Sequence, residues 1–395
     1  MQPTEKYYEH DAYRREAVGH ILAAEPDSRT GGGRIALDST VFYPEGGGQP
    51  ADRGTLTLAD GTVLTVTDVH EQAGVIWHMV TSLPAGAVPG AEAAQAIDWE
   101  WRFDKMQQHT GEHILSGILH SMFGAENVGF HIGSDAVRMD TNIPISAEGL
   151  KAAETAANRI IWENVPVNIT YPTREELAAL TYRSKKEIEG QVRIVTIPGA
   201  DVCACCGTHV LRSGQVGIIK ILSCQKFRSG VRMEILCGER AYRYLSGTYD
   251  QARAVGQQLS VKPLDAAAAV ERLEAELTAA KARMTELEET VFFHKAQELR
   301  GKGDVLLVES PMRSDGVRKL ADAVAKTCGG LAAVFSGRDG QFSYALVRAD
   351  GTDVAPLVKT LNNALHGRGG GRGGFAQGSV QASEAEIRTF FNNPS

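Results

Sequence analysis

The chain has 395 residues, more than one hydrophobic core normally needs, and this length predicts two or three domains. Hydrophobic residues make up 43% and charged residues 23%, which is typical of a globular protein, and no apolar run approaches the roughly 20 residues of a membrane span. The net charge of −7 argues against general affinity for nucleic acid. The start lacks a secretory pattern and the six cysteines lack the spacing of a disulfide framework, so we expect a cytoplasmic protein that is not bound to a membrane.

Short runs of strand-forming residues alternate with Gly, Asp and Pro turns in the first part of the chain. The runs cover residues 34–37, 55–58, 63–66 and 75–78. Asp60-Gly61, between the second and third runs, is typical of a hairpin turn. This alternation predicts a small antiparallel β-barrel as the domain of residues 1–95.

The loop from Thr40 to Asp52 contains three consecutive glycines, Gly46, Gly47 and Gly48, followed by Gln49. A plain β-turn needs fewer glycines, whereas a glycine run lets the backbone approach a ligand closely. We interpret this stretch as a ligand-binding loop in which polar side chains such as Gln49 orient the ligand. Thr40 offers a hydroxyl and a methyl group to a small pocket, although a surface strand threonine is the alternative.

Helices mix with strands between residues 96 and 248, which predicts an α+β domain. One predicted helix carries His109 and His113, a second covers 147–163, and a strand covers 192–197. In the next segment, residues 255–299, apolar residues are spaced three and four apart, which is the a/d pattern of a coiled coil. The members of this apolar seam are Val270, Leu273, Leu277, Ala280, Met284, Leu287 and Val291. A seam this narrow needs a partner helix from a second copy or from the same chain, and we favour a homodimer.

The last domain, residues 300–395, is predicted to have an α/β fold. Its expected elements are strands at 305–308, 331–335 and 342–347 and helices at 317–326, 354–365 and 383–391. A glycine-rich stretch at 367–375 precedes the final helix, which disfavours a flexible linker. Backbone N–H groups flanked by Arg368 and Arg372 favour a phosphate-bearing ligand, and a structural glycine turn is the alternative.

Two residue pairs with the same spacing predict a metal site. His109 and His113 lie four apart on one face of the predicted helix, so both rings can be directed at one point. Cys205 and His209 have the same separation around a predicted turn at Gly207. Three imidazoles and one thiolate are a ligand set that Zn²⁺ prefers, and we expect one Zn²⁺ per chain.

Glu112 lies beside the second ligand, His113, where a carboxylate can act as a general base on a metal-bound water. Helix geometry turns Glu112 about 100° away from His113, so exposure to solvent is the alternative. A set of four protein ligands is usually structural, and catalysis then needs a loosely held ligand or a fifth coordination position.

Together these motifs resemble the AlaX family, whose members are similar to the editing domain of alanyl-tRNA synthetase. The resemblance rests on residues 42–50 (FYPEGGGQP), on the HxxxH pair at His109 and His113, and on residues 201–210 (DVCACCGTHV). The glycine-rich end behind a coiled coil is similar to the DHH-associated domain of the synthetases. The resemblance covers nearly the whole chain and indicates the long form of the family.

The resemblance implies an aminoacyl-tRNA deacylase that hydrolyses the ester joining serine or glycine to tRNA(Ala). It implies Zn²⁺ held by His109, His113, Cys205 and His209, as the spacing also predicts. It further implies that Thr40 distinguishes serine from alanine and that Gln49 orients the ester or the attacking water. Here Glu112 and Cys206 stand where the family often has Gln and Gly.

Two alternative functions remain open at the level of the sequence. One is a non-catalytic tRNA-binding protein whose zinc is only structural. The other is a metalloprotease, because His109-x-x-Glu112-His113 also fits the HxxEH pattern of some zinc proteases. That pattern requires a downstream carboxylate as the third ligand, whereas this chain has Cys205 and His209 downstream, so we disfavour the protease.

Overall fold

The computed structural model describes residues 1–27, 32–184 and 190–392. The chain forms two compact units, Met1–Gln251 and Ala252–Ser395, and the boundary between them falls inside a long helix. The finer division into four domains at 1–95, 96–248, 255–299 and 300–395 stays a prediction. Within the described ranges, no helix is both long enough and apolar enough to cross a membrane.

The N-terminal part of the first unit is mainly β-structure. Its elements are β1 (Glu5–Lys6), α1 (Tyr7–His10), β2 (Glu16–Pro26), β3 (Gly33–Leu37), β4 (Ser39–Thr40), β5 (Gly54–Leu58), β6 (Val63–Gln72), β7 (Val75–Val80) and β8 (Glu92–Ile97). Six strands close a barrel in the order β2-β3-β7-β6-β5-β8, and all neighbours are antiparallel. Alternate side chains fill its interior, as strand geometry requires, and Ile35, Leu56 and Leu64 are fully buried there. The predicted antiparallel barrel is therefore confirmed.

The rest of the first unit combines helices with two antiparallel sheets. Its elements are α2 (Trp99–Phe123), β9 (Asn127–Ile132), β10 (Val137–Thr141), α3 (Ala147–Glu163), β11 (Asn168–Thr170), α4 (Arg174–Ala179), β12 (Ile194–Ile197), β13 (Asp201–Ala204), a 3-10 helix (Ser213–Val216), β14 (Ile219–Phe227), β15 (Gly230–Cys237) and α5 (Gly238–Leu259). The sheet orders are β14-β15-β10-β9 and β11-β12-β13. Both sheets contribute buried residues to the core that also contains Leu115 of α2 and Ala157 of α3. The mixed α+β class is confirmed.

Helix α2 has a defined start and end. The side chain of Asp98 accepts a hydrogen bond from the backbone N–H of Trp101, which satisfies one free donor of the first turn. Gly124 adopts a left-handed conformation with φ of 67° and ends the helix. Between these caps the helix buries an almost continuous run from Gln108 to Leu119. A helix enclosed in this way is a rigid support for the side chains that it directs inward.

The second unit contains one sheet with helices on both faces. Its elements are a 3-10 helix (Pro263–Asp265), α6 (Ala266–Glu298), β16 (Gly303–Glu309), α7 (Ser314–Cys328), β17 (Gly329–Arg338), β18 (Gln341–Arg348), α8 (Ala355–Ala364), β19 (Arg368–Arg372), β20 (Phe375–Gln381) and α9 (Glu384–Asn392). The sheet order is β16-β17-β18-β20-β19, with only the β16–β17 pair parallel. Helix α7 covers one face of the sheet and α8 with α9 the other. The predicted mixture of strands and helices in the C-terminal domain is confirmed, but the sheet is mostly antiparallel, whereas an α/β fold has a mostly parallel sheet.

The predicted long helix forms as α6, but its apolar seam has no partner within the described chain. Only its ends are buried, through Ala266 and Ala269 at the start and Phe292 and Ala296 near the end. The seam residues between these ends, Val270, Leu273, Leu277, Met284, Leu287 and Val291, are 39–52% exposed. The coiled coil itself therefore stays a prediction.

Most of the glycine-rich stretch forms the edge strand β19, paired antiparallel with β20, and Gly373 and Gly374 form the turn that joins these two strands. The stretch is therefore not a flexible linker. Close packing requires glycine at Gly369 of β19 and at Gly378 of β20, because a Cβ added at either position would lie 2.5 to 2.6 Å from the Tyr344 hydroxyl. That hydroxyl donates to Asn362 Oδ1 at 3.0 Å. Arg368 and Arg372 are both exposed on this strand, and they share a face because side chains alternate along a strand.

Candidate metal centre

Four side chains of the first unit converge on one point, and they are the four that the sequence predicts as metal ligands. His109, His113, Cys205 and His209 each offer one ligand atom, and these atoms all lie within 4.8 Å of one another. Cys205 Sγ is 3.4 Å from Nε2 of His109 and 3.4 Å from Nε2 of His209. In a tetrahedral zinc site with ordinary bond lengths, sulfur and nitrogen are about 3.5 Å apart. The donor atoms and their separations therefore fit one Zn²⁺.

The two halves of this cluster come from distant parts of the chain. Helix α2 places His109 and His113 one turn apart on the same face, with ring centroids separated by 5.2 Å. Cys205 and His209 follow β13, and the His209 ring lies 4.7 Å from that of His109 and 4.8 Å from that of His113. Gly207 allows this close approach, because a Cβ there would lie 2.1 Å from Cε1 of His109. No larger residue fits at position 207 without displacing His109.

Each imidazole has a hydrogen-bond partner on its Nδ1 atom. His109 Nδ1 is 2.8 Å from Gln49 Oε1, and His113 Nδ1 is 2.8 Å from Asp201 Oδ2. Both partner atoms only accept hydrogen bonds, so the ring proton lies on Nδ1 and the Nε2 lone pair faces the centre of the cluster. His209 Nδ1 is 3.2 Å from the Thr110 hydroxyl. This arrangement of outer partners is the one that fixes metal-binding histidines in other proteins.

Three cysteines are close together in sequence, and the structure separates their environments. Burial alone would raise the pKa of the Cys205 thiol, but the three imidazoles outweigh burial and hold this pKa well below its ordinary value. Burial raises the pKa of Cys203 to about 11, and this thiol donates to the Ala204 carbonyl. Cys206 is exposed. Cys205 is the member of this group that offers a thiolate to a metal.

Asp201 and Thr110 contact two of the candidate metal ligands, although the sequence-based prediction gave neither residue a role. Arg183 fixes the carboxylate of Asp201, because its Nε and Nη2 donate to the two carboxylate oxygens at 2.9 Å each. Burial opposes ionisation of Asp201, but its contacts with His113 and Arg183 prevail and lower its pKa. The carboxylate is therefore ionised beside His113. In the sequence, these two residues could have been noticed because each lies close to a predicted ligand, Asp201 before Cys205 and Thr110 directly after His109.

Glu112 is buried, with 1% exposure, so the alternative in which it faces solvent is wrong. Its Oε1 accepts a hydrogen bond from Nδ2 of Asn127 on β9. The helix turns this side chain toward the sheet, and Glu112 is not among the four residues whose ligand atoms converge. A role for Glu112 as general base stays a prediction.

The glycine loop contains a tight turn that places Gln49 at the cluster. Gly46 and Gln49 exchange two backbone hydrogen bonds, and Gly47 and Gly48 between them have φ of 60° and 86°. Positive φ at both central positions is the geometry for which glycine is favoured, so the turn itself explains two of the three glycines. Gln49 is fully buried, and besides contacting His109 it donates from Nε2 to the Thr208 hydroxyl at 2.8 Å.

Thr40, on the short strand β4, is 0% exposed, which excludes the surface-threonine alternative. Its hydroxyl is 2.8 Å from His78 Nε2 and 3.0 Å from Gln95 Oε1, and it accepts from the Phe42 N–H at 3.0 Å. Burial lowers the pKa of His78 to about 4, so this imidazole is neutral. The Thr40 hydroxyl is thus fixed by a buried polar network at the start of the glycine loop.

The predicted phosphate-binding residues, Arg368 and Arg372, belong to the second unit, and their role stays a prediction.

Comparisons with known proteins agree with this architecture. The family described as the second additional domain of threonyl and alanyl tRNA synthetases matches residues 192–232, which include Cys205 and His209. The class II (A) tRNA synthetase family matches residues 14–101, and the DHHA1 domain family matches residues 303–392.

Among curated relatives, the alanyl-tRNA editing protein AlaX-L of Pyrococcus horikoshii is 31% identical over 97% of this chain and 96% of its own length. The alanyl-tRNA editing protein Aarsd1-B of Xenopus laevis is 27% identical, with 95% of both chains covered. The alanine–tRNA ligase of Pyrococcus abyssi is 33% identical over 95% of this chain, which spans only 42% of the ligase.

The editing proteins align along almost their whole length, whereas the ligase extends far beyond the aligned region. The alignment with the editing proteins therefore extends over both units of this chain. It confirms the sequence-based expectation of an editing enzyme, an aminoacyl-tRNA deacylase. The chain belongs to the AlaX family of alanyl-tRNA editing proteins, in its long form.

Proposed function

We propose that this protein is a zinc-dependent editing hydrolase that acts in trans, cleaving the aminoacyl ester of tRNA(Ala) mischarged with serine or glycine. The observation that carries the proposal is the convergence of three imidazole Nε2 atoms and the Cys205 thiolate within 4.8 Å. One Zn²⁺ per chain fits this donor set. When bound, the ion supplies a Lewis acid beside the ester or holds the substrate in place.

The protein's own residues prepare the centre for that chemistry. Gln49 and Asp201 hold protons on Nδ1 of His109 and His113, so that both Nε2 atoms keep their lone pairs. All three imidazoles are at most 3% exposed, which excludes bulk water from around them. One Nε2 hydrogen of Gln49 is used by Thr208, and we assign the other to the ester or to the attacking water.

Selectivity for serine over alanine is assigned to Thr40. A site that hydrogen-bonds the serine hydroxyl rejects alanine, because the polar partner is then left unpaired. The Thr40 hydroxyl is held by His78 and Gln95 and also accepts from the Phe42 N–H. Because the Thr40 hydroxyl already has these three partners, we propose that Thr40 acts indirectly. It fixes the position of Phe42 and of the glycine loop that follows.

The second unit is assigned a role in partner binding. Arg368 and Arg372 present two exposed guanidinium groups on the same face of β19, a suitable surface for the phosphates of tRNA. The apolar seam of α6 is assigned to a homodimer with a second copy of the chain. Replacing Leu277 by Glu is expected to shift the dimer to monomer in analytical ultracentrifugation, and an unchanged mass would place the dimer contact elsewhere, as in the C-terminal domain.

The two alternative functions predict different behaviour. A metalloprotease of the HxxEH type needs a carboxylate ligand, whereas the fourth donor here is a thiolate and Glu112 is turned toward Asn127. A tRNA-binding protein with purely structural zinc would bind tRNA(Ala) without releasing the amino acid. The closed set of four ligands is the feature that favours this second candidate.

The test is a deacylation assay with tRNA(Ala) charged with serine, glycine or alanine, run with and without a chelator. We expect release of serine and glycine, retention of alanine, and loss of activity when zinc is removed. The Cys206→Ser variant is the control for the role of zinc. It removes a neighbouring thiol that lies outside the cluster, so its activity should match that of the wild type. Equal loss of all three amino acids would contradict the selectivity, and binding without release would support the non-catalytic alternative.

A further inference from the structure

A buried ion pair fastens the glycine loop to the helix that carries two of the metal ligands. Arg102 on α2 is 0% exposed and its partner Asp52, at the end of the loop, is 1% exposed. The Nε of Arg102 lies 2.9 and 3.0 Å from the two carboxylate oxygens of Asp52, and its Nη2 also contacts this carboxylate. The same guanidinium donates to the Val41 carbonyl at 2.7 Å and to the Ala12 carbonyl at 2.9 Å. One side chain thus binds both ends of the glycine loop and the segment at Ala12.

Asp52 in turn closes the base of the loop. Its Oδ2 accepts from the Tyr43 N–H at 2.6 Å, and its own N–H donates to the Tyr43 carbonyl at 2.9 Å. Next to it, the indole N–H of Trp101 donates to the Ala51 carbonyl at 2.8 Å. Two consecutive residues of α2 therefore hold two consecutive residues of the loop.

The other contact of the loop with α2 is at the metal centre. His109 follows Arg102 by seven residues, which is about two helical turns, so the two side chains lie on one face about 10 Å apart. Gln49 precedes Asp52 by three residues, and its carboxamide is held between His109 Nδ1 and Thr208. The loop therefore contacts one face of α2 at two points. One is the buried Arg102–Asp52 ion pair, and the other is the hydrogen bond between Gln49 and the candidate ligand His109.

We propose that the Arg102–Asp52 ion pair is a positioning device for the metal centre. It fixes the base of the glycine loop on α2, and this in turn keeps the Gln49 carboxamide against Nδ1 of His109. The inference rests on the proposed role of His109 as a metal ligand. Arg102 and Asp52 touch neither the metal ligands nor the substrate in this assignment, so they act only through Gln49.

The chemistry of the pair supports this role. A buried ion pair adds little net stability compared with apolar side chains of similar volume, because both charges lose their hydration. Arginine, however, offers a rigid planar set of donors that specifies direction as well as contact. Here three acceptors, at the two ends of the glycine loop and at Ala12, satisfy that set, an arrangement that an apolar contact cannot reproduce.

The experiment is a double-mutant cycle on metal affinity with Arg102→Lys, Gln49→Leu and the combination. Arg102→Lys keeps the charge but loses the planar donor set. Loss of an outer partner of a metal-binding histidine typically lowers affinity about 10-fold to 100-fold, and we expect about 10-fold for each single variant. The combined variant should be no weaker than Gln49→Leu alone, because both changes remove the same contact. A combined loss equal to the product of the single losses would overturn the proposal.

Affinity is measured by competition of Zn²⁺ with a chromophoric chelator, and the Co²⁺-loaded protein gives an absorption spectrum that reports ligand geometry without any assay of activity. Arg232→Lys is the matched control. Its ion pair with Asp140, at 2.7 and 2.8 Å, lies in the β-sheet, and its loss should leave affinity and spectrum unchanged. If Arg102→Lys fails to fold, Asp52→Asn serves in its place, because the amide oxygen still accepts from Tyr43.

The outcomes separate this inference from the proposed function. A wild-type protein that binds neither Zn²⁺ nor Co²⁺ with stoichiometry near one would contradict the metal centre itself. A wild-type protein that binds metal, with affinity and spectrum unaltered by Arg102→Lys or Asp52→Asn, would overturn the positioning role alone.

Discussion

The first unit contains two buried polar clusters of similar composition but opposite organisation. In the barrel, Thr40, His78 and Gln95 pair with one another and with the backbone, and His78 Nδ1 lies 3.0 Å from the Ile35 carbonyl. In the metal centre, the Nε2 atoms of the three imidazoles face the Cys205 sulfur, while their Nδ1 atoms are held from outside.

The difference shows how a binding centre can be distinguished from a structural network. In the barrel cluster, the polar atoms satisfy each other, which removes the cost of burial and leaves no donor set for a ligand. In the metal centre, lone pairs converge on one point, an arrangement that only a cation compensates fully. Burial of a histidine or threonine is common to both and therefore does not identify function.

The largest effect that tests this comparison is expected for Cys205→Ala. Zinc in a structural site supplies about 10 to 16 kcal/mol of apparent binding free energy at neutral pH, and the variant loses the only thiolate of the cluster. We expect loss of bound zinc and a lower unfolding temperature of the first unit, measured by elemental analysis and by thermal denaturation with and without chelator. A variant that retained one zinc per chain would show that the wrong thiol had been assigned.

The stability of the first unit is expected to depend on pH through His78 of the barrel cluster. The pKa of His78 is lowered to about 4 by burial, so between its unfolded value near 6.5 and pH 4 the unfolded chain binds the proton more readily. Neutral His78 therefore contributes fully to the free energy of unfolding above pH 6.5. This contribution is lost as the pH falls, and the free energy of unfolding decreases by about 2 kcal/mol between pH 7 and pH 4.5.

This dependence is measured by urea denaturation of the wild type and of His78→Gln at both pH values. The advantage of the wild type over the variant should shrink by this amount at the lower pH, because contributions from the metal centre cancel in the difference. An advantage that did not change with pH would mean that His78 keeps an ordinary pKa in the folded protein.

Thr40→Val tests whether the barrel network is separate from the metal centre. The substitution keeps the shape of the side chain but leaves the Phe42 N–H without its acceptor, a change expected to cost about 1 to 3 kcal/mol of unfolding free energy. Zinc content should remain at one per chain. Loss of zinc in this variant would show that the two clusters are coupled.

The smallest effects are expected for the neighbouring cysteines. Cys206→Ser changes an exposed thiol, and Cys203→Ala removes a thiol whose pKa is raised to about 11 by burial. Neither variant should alter zinc stoichiometry, and Cys203→Ala should cost stability only through its small cavity. Reduced zinc in either variant would extend the ligand set beyond Cys205.

Local periodicity made much of the fold and of the site predictable. The spacing of His109 and His113 on a helix, and the matching spacing of Cys205 and His209, identified the four converging side chains without tertiary information. The apolar repeat identified α6 as a helix, and alternation identified four of the barrel strands. Strands β2 and β8 were not foreseen, although their pairing closes the barrel. The physical reason is that helices and hairpins are specified by residues only a few positions apart.

Tertiary structure alone decided which residues surround the site and how they act. The Nδ1 partners of the three histidines lie 60, 88 and 99 positions away in the sequence, and such distances leave no local pattern to read. The chain likewise gave no indication that Thr40 would be enclosed by His78 and Gln95, or that Arg102 would pair with Asp52. These contacts form only when distant segments pack together, because their energies depend on burial and on direction, which a linear sequence does not display.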